Sequence, residues 1–402
     1  MAQAFRRRVG PARALFAVGL LLALVAAGSI AQGLGPAPAA AASGTAKVEP
    51  EWQTLMSEGF EGAFPGAGWT VSGMYFWDER DCNVHGGSYS AWAIGGSSGA
   101  GFACGANYPN NLQSAMTYGP FNLTGYTAAE LEFWYWFNTE PAYDYFRVFA
   151  SPDGSSWINV VNRTGSSGGW QQQVVDLKPY VGDSSVWIRF AFDTDVKDTY
   201  TEGVYVDDIV VRAQAPLTAN YRSVAANDGW VRESTEASEA GGTIGATGTC
   251  RAGDDAADRQ YRSILDFNTR SLPDDAVILS VVLEVKKTSL VGDSWSATHG
   301  ALLVDIRRGG FNKAVALEIM DFQAAANLNA VASFVSVPGG NWFRASLSAD
   351  ALAKINLTGH TQFRVRYAIG DDDDGAADYF AFACGDALTP RSRPVLRVTY
   401  VP

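Results

Sequence analysis

Hard oxygen donors are the chain's best material for chemistry. Glu61 lies just after the first strand-like run, and Asp207 and Asp208 lie in the run GVYVDDIVV near the end of the first half. In a β-sandwich the first and last strands commonly lie side by side, so these carboxylates can meet although they are far apart in sequence. Calcium takes about six to eight such oxygens, drawn from carboxylates, main-chain carbonyls and water. A structural calcium on Glu61, Asp207 and Asp208 is therefore expected, with Asp193 and Asp195 of FDTD as further ligands. The alternative is an acidic strand pair that faces solvent or is neutralised by Arg189 or Arg212.

Aromatic residues make the second candidate site. In AELEFWYWFN, side-chain alternation puts Leu131, Phe133, Tyr135 and Phe137 on one face and Glu132, Trp134 and Trp136 on the other. Trp134 and Trp136, with Tyr143 and Tyr145 on the following run, suit a platform on which sugar rings stack their C–H faces. Otherwise loops fold over that face and bury it. In the second half, Trp230, Trp295 and Trp342 with Arg364 and Arg366 could meet an acidic polysaccharide. The charge there argues against it: 18 basic residues stand against 22 acidic ones from Ala219 onward.

Catalytic patterns are false positives. The three histidines, His85, His299 and His360, are scattered, and HExxH does not occur. G-x-S-x-G occurs at residues 95–99 and 165–169, but in Gly/Ser turns between strands, without the strand-to-helix elbow that exposes a nucleophile. The run Asp371–Asp374 followed by Gly375 fails as an EF-hand: position one would be Gly370 and no glutamate closes the loop. It reads as a solvated acidic turn. The 42 acidic residues offer many carboxylate pairs of the kind that cleaves a glycosidic bond, but no pattern points to one.

The elements that must position these groups are strands. Short alternating runs rich in Val, Ile, Phe, Tyr and Trp, such as SVWIRFAF and QFRVRYAIG, are separated by turn signals such as PDGSS. In the first of these Val186, Ile188, Phe190 and Phe192 mark an inward face. Only LEIMDFQAAA and SADALAKI suggest brief helical excursions, the latter with a serine at its cap position. The expected fold class is all-β: two tandem antiparallel, jelly-roll-like β-sandwiches after an N-terminal signal peptide. Residues 1–42 form the signal peptide and Ala/Pro-rich cleavage region, 52–213 the first sandwich, 214–218 a linker and 219–402 the second sandwich.

Composition supports export. Residues 1–42 carry four arginines and no acid, then an uncharged stretch from Ala14 to Ala31, then small residues. Cleavage near residues 40–42 is expected; an uncleaved anchor is the alternative, because the stretch is near the lower limit for spanning a bilayer. The whole chain carries a net charge of −12, and the part beyond residue 42 has 26 basic and 42 acidic residues. That balance argues against nucleic acid as a partner. Four cysteines, Cys82, Cys104, Cys250 and Cys384, allow three pairings. Pairing within each half is the simplest, and the rival, a zinc site, lacks C-x-x-C spacing.

The segments SEGFEGAFPGAGW, GGSYSAWAIGG, NYPNNLQSAMTYGPFNLTGYTAAELEFWYWF, ASPDGSSW and FDTDVKDTYTEGVYVDDIVV resemble the MAM-like sandwich of immune inhibitor A-type exported bacterial proteins. The second half, through NDGWVRES, YRSILDFNTRSLPDDAVILSVVLEV and RSRPVLRVTY, resembles the DNRLRE-type modules classed with the family-96 carbohydrate-binding modules. Residues 291–338 match neither. These resemblances imply non-catalytic jelly-roll modules, the first with a structural calcium. The expectation is a secreted or cell-surface monomer that binds an extracellular polysaccharide or glycan or mediates adhesion, with no membrane contact beyond the signal peptide. An accessory protein that binds a partner such as a secreted peptidase is the alternative.

Overall fold

A computed structural model describes residues 49–99, 101–293 and 298–402. The expected signal peptide and Trp295 lie outside the described residues. The rest is almost entirely antiparallel β-structure, as the alternation predicts. The brief helical excursions are a 3-10 turn, Ile319–Phe322, and one short α-helix, Ala349–Leu352. Ser348 sits at the cap position of that helix but makes no side-chain capping bond.

Two sheets build the first sandwich. In one, strand Gly203–Gln214 lies between Ser90–Ser97 and Ala128–Asn138, with Trp52–Glu58 paired along its later half. In the other, Val186–Asp193 lies between Gln113–Phe121 and Tyr145–Ser151. The first and last strands do lie side by side, Trp52 opposite Gln214 and Glu58 opposite Ile209. The inner faces interlock as alternation demands: Leu131, Phe133, Val186, Ile188, Phe190 and Phe192 are fully buried. Phe133 meets Phe190 edge to face, with ring centroids 5.0 Å apart. Each large aromatic buried this way contributes roughly 1.5–3 kcal/mol of transfer free energy.

The second sandwich is closed by one long strand. Val277–Val291 pairs with Val395–Val401 along its first half and with Tyr379–Ala383 along its second, with a register shift between Lys287 and Ser289. One chain segment therefore serves both layers. The expected linker is shorter than the sequence suggests. Strand Gly203–Gln214 ends where Leu217–Arg222 is about to begin, so only residues 215 and 216 separate them. Thr218 already pairs with Thr399. Both disulfides form within their halves, Cys82–Cys104 and Cys250–Cys384.

The second core contains an ionic centre that corrects one sequence expectation. Arg364 is only 5% exposed and does not reach solvent to meet a polysaccharide. Its Nε and Nη2 donate to Asp305 Oδ2 at 3.0 and 2.9 Å, and its Nη1 donates to the carbonyls of Asp321, Phe322 and Ala324. Arg366 Nε donates to the same oxygen at 3.0 Å, and the Ala330 N–H donates to Asp305 Oδ1 at 2.9 Å. Burial pushes the Asp305 carboxyl up, but the bonds and charges of Arg366 and Arg364 outweigh it and hold it below the ordinary range. Asp305→Asn leaves two guanidinium groups facing a neutral amide, and breaking such a pair costs about 3–5 kcal/mol. Because the folded carboxyl is depressed, its contribution is complete above an unfolded value of ~3.9 and fades as pH falls through the folded one. Urea unfolding should show that loss for Asp305→Asn at pH 7, together with a weaker acid-side decline than in wild type.

Candidate functional site

The two halves of the Gly203–Gln214 strand meet at an irregularity. Its register against Ala128–Asn138 shifts between Asp207 and Val210, and Asp208 adopts a left-handed φ of 47°. The kink presents both carboxylates to the loop of residues 83–89, which begins beside Cys82. Asp207 is fully buried and accepts N–H bonds from His85 (3.0 Å), Gly86 (3.1 Å) and Asp208 (2.8 Å). Burial pushes its carboxyl up, against the pull of those N–H groups. Asp208 Oδ2 lies 2.7 Å from His85 Nδ1. Glu61 Oε1 accepts from the N–H groups of Ser88 and Tyr89 at 2.7 and 3.0 Å. A Cβ on Gly87 would stand 2.1 Å from Glu61 Oε1, and one on Gly86 2.7 Å from Asp208 Oδ2, so a larger residue would push these carboxylates off the loop, and the φ of 63° at Gly87 itself favours glycine.

Glu61, Asp207 and Asp208 are thus brought to one loop, and each spends oxygens on it. Asp193 and Asp195 are not with them. Asp193 pairs with Arg147 at 2.8 Å. Asp195 joins Glu140 and Asp144, each offering a carboxylate oxygen within 4.8 Å of the others. Asp144 is fully buried and accepts from the Tyr108 hydroxyl at 2.5 Å and from the Asp195 N–H at 2.8 Å. The same hydroxyl accepts the Glu140 N–H at 2.9 Å. Glu140 is 8% exposed, and its Oε2 has no hydrogen-bond partner among the described residues. Burial, then the charges of Asp195, Asp198 and Asp144, push its carboxyl up. The spacing of Glu140 and Asp144 in NTEPAYDY does not reveal this group, because Asp195 arrives from a turn on a different strand pair.

The four aromatic residues do not share a face. Trp134 and Trp136 point outward from one sheet, but Tyr145 belongs to the other, which pairs with Val186–Asp193. Its hydroxyl donates to the Ala142 carbonyl at 2.9 Å, and its ring lies under Arg147. Tyr143 sits in the turn before it, 60% exposed. Trp136 is partly covered: its ring meets Tyr205 edge-on at 5.7 Å, and Trp92 stacks on that tyrosine at 5.5 Å, both fully buried. Trp134 stacks on His85 with centroids 3.9 Å apart and planes 15° from parallel, and Trp170 stands edge-on to the same imidazole at 5.7 Å. Trp170 Nε1 donates to Asn83 Oδ1 at 3.1 Å. Gln172, opposite Trp134, donates to Glu132. His85 and Trp170 carry no sequence pattern; a loop far upstream of Trp134 supplies the ring that completes the cluster.

Neither arginine weighed as a neutralising partner plays that part. Arg212 pairs with Glu130 and Glu132, and Arg189 lies over the Trp157 ring at 3.8 Å. In the second half, Trp230 packs edge-on against Tyr261 at 5.1 Å, and the guanidinium over its ring, at 5.8 Å, is that of Arg251.

No family model matches the sequence. Bacillopeptidase F of Bacillus subtilis (strain 168) is 28% identical over 106 residues, 26% of this chain and 7% of that protein. The chain therefore spans only a small part of that relative's length. Among solved structures, the K1 cleaved adhesin domain of Lys-gingipain from Porphyromonas gingivalis W83 is 17% identical with a TM-score of 0.30, covering 40% of this chain and 98% of that one. The N-terminal CBM22-1-CBM22-2 tandem domain of Paenibacillus barcinonensis Xyn10C is 12% identical with a TM-score of 0.34, covering 89% and 98%.

The Tyr108 hydroxyl ties Asp144 to the Glu140 main chain, so Tyr108→Phe leaves buried groups without their partner. A loss of about 1–3 kcal/mol is expected in urea unfolding of the whole chain.

Proposed function

We propose that this is an exported, non-catalytic binding protein whose first sandwich holds a glycan on the cluster formed by Trp134, His85 and Trp170. The observation that carries this reading is the stacked His85–Trp134 pair with Trp170 edge-on. Both tryptophans are half-buried and His85 is exposed, so the cluster is braced yet reachable. The apolar ring faces suit the C–H faces of a sugar, and Asp208, Asn83, Glu132 and Gln172 supply acceptors and donors for its hydroxyls. The side chain of Asp208 is 43% exposed beside His85, so the cluster has a charged wall open to solvent.

In this reading the first sandwich is a MAM-like module and the second a DNRLRE-type module, with residues 1–42 as the export signal. Two disulfides and no free cysteine among the described residues favour an oxidising, extracellular setting. Calcium, expected at Glu61, Asp207 and Asp208, is better served by Glu140, Asp144 and Asp195, where a buried carboxylate oxygen still lacks a partner. A cation there would relieve the repulsion among three carboxylates and join the turn after Ala128–Asn138 to the one after Val186–Asp193. The 106-residue likeness to Bacillopeptidase F favours a second reading, an accessory module that binds a protein partner such as a secreted peptidase.

A polysaccharide panel probed with the full chain tests the first reading. Retention of one glycan class is expected, weakened about tenfold or more, roughly 1.4 kcal/mol, in Trp134→Ala and Trp170→Ala. Equal binding by these variants would remove the cluster from the account. Co-purification of a single peptidase without any glycan retention would favour the accessory reading. Calcium returned after EDTA should raise the melting midpoint, by less in Glu140→Gln than in wild type.

A further inference from the structure

The second sandwich carries a separate concentration of buried acid around the turn that reads from sequence as solvated. Asp373 and Asp374 are exposed, but Asp371 and Asp372 turn partly inward. Asp372 belongs to two groups whose ligand atoms lie within 4.8 Å of one another: one with Asp254 and Asp258, the other with Asp293, His299 and Asp378. Asp254 is fully buried, Asp378 3% exposed and His299 fully buried. Five carboxylates thus converge, and among the described residues no lysine or arginine pairs with any of them; the one cationic candidate is His299, whose Nε2 is 3.8 Å from Asp372 Oδ2.

Their hydrogen bonds leave oxygens over. Asp254 Oδ1 accepts the Asp378 N–H at 2.9 Å, and Asp258 Oδ1 accepts the Gly375 N–H at 3.0 Å. Asp378 Oδ1 accepts the Asp293 N–H. Asp254 Oδ2 and Asp372 Oδ1 are buried with no hydrogen-bond partner among the described residues. Leaving a buried carboxylate oxygen unpaired is costly, and two of them in one acidic group compound the cost. Burial, with Asp372 and Asp378 nearby, holds the Asp254 carboxyl up at about 7 despite the Asp378 N–H and His299.

We propose that Asp254, Asp258 and Asp372 hold a hard divalent cation, calcium, with the remaining positions filled by main-chain carbonyls and water. All three donors are carboxylate oxygens, the set calcium prefers, and the orphaned oxygens of Asp254 and Asp372 acquire their missing partner. Asp378 and His299 stand behind this set. The Asp254 N–H donates to the Asp378 carbonyl at 2.8 Å while the Asp378 N–H returns to Asp254 Oδ1, and the buried His299 Nε2 lies 3.8 Å from Asp372 Oδ2. The ion fastens the strand end at Asp254 to the acidic turn before Tyr379–Ala383. This site is distinct from the Glu140 group and does not depend on the glycan reading.

Calorimetric titration of calcium into the EDTA-treated, desalted full chain tests it. Asp372→Asn and Asp258→Asn are each expected to bind one equivalent fewer than wild type, or to bind that equivalent more than tenfold more weakly. Asp274→Asn, an exposed carboxylate outside both acidic groups, is expected to keep it. Circular dichroism identifies folded variants, and Asp258→Asn, which changes a partly exposed side chain, carries the test if Asp372→Asn does not fold. Wild-type stoichiometry and affinity in both folded variants would overturn the proposal, as would a wild-type chain that binds no calcium.

Discussion

A strand with large rings on both sides cannot be left at a surface, and that constraint organises the first sandwich. Ala128–Asn138 buries Phe133, Tyr135 and Phe137 inward, which uses one face completely. Its other face carries Trp134 and Trp136, beside Tyr205 of the next strand and Trp92 of the one beyond. That much aromatic area in water would be unfavourable by several kcal/mol at ~25 cal/mol per Å². The segment around Cys82 therefore has to lie over it, and the acidic residues of the Gly203–Gln214 kink hold it there through main-chain N–H groups. Charge and aromatic cover are one device: the carboxylates position the loop, and the loop delivers His85 to Trp134.

The same device explains what was legible in the sequence. Alternation within a strand is local, so the fold class, the inward face of Val186–Asp193 and the two-faced character of Ala128–Asn138 can all be read directly. Adjacency of the first and last strands was also legible, because it follows from the architecture. Which carboxylates meet was not. Asp193 and Asp195 are two residues apart, but one pairs with Arg147 and the other joins Glu140 and Asp144. That separation depends on turn geometry, which a one-residue spacing cannot encode. The aromatic platform failed on Tyr145 for a simpler reason: its strand follows Ala128–Asn138 in sequence but crosses to the facing sheet.

In the second sandwich the misleading feature was charge. Arg364 and Arg366 alternate along a strand with apolar neighbours and look like surface cations, but Asp305 draws both inward. Four consecutive aspartates look like a solvated turn, yet Asp372 lies with Asp254 and near His299, and Asp371 accepts from Gln260 Nε2 at 3.0 Å. Runs of one charge say little about exposure when their counter-groups are supplied from elements far away in the chain. Composition had nevertheless pointed the right way in one respect. A chain short of basic residues has few arginines to spare for its buried carboxylates, and some of those carboxylates are left without one.

The Cys250–Cys384 bridge spans 134 residues, from the strand Thr249–Asp254 to the residue just after Tyr379–Ala383. Most of the second sandwich lies inside that covalent ring. A single peptide-bond cut in any surface turn between the two cysteines opens the ring but separates nothing, because the pieces stay joined through sulfur and through the strands that flank the cut. Outside a cell, where proteases are abundant and repair is absent, such a domain can be nicked and still remain one object.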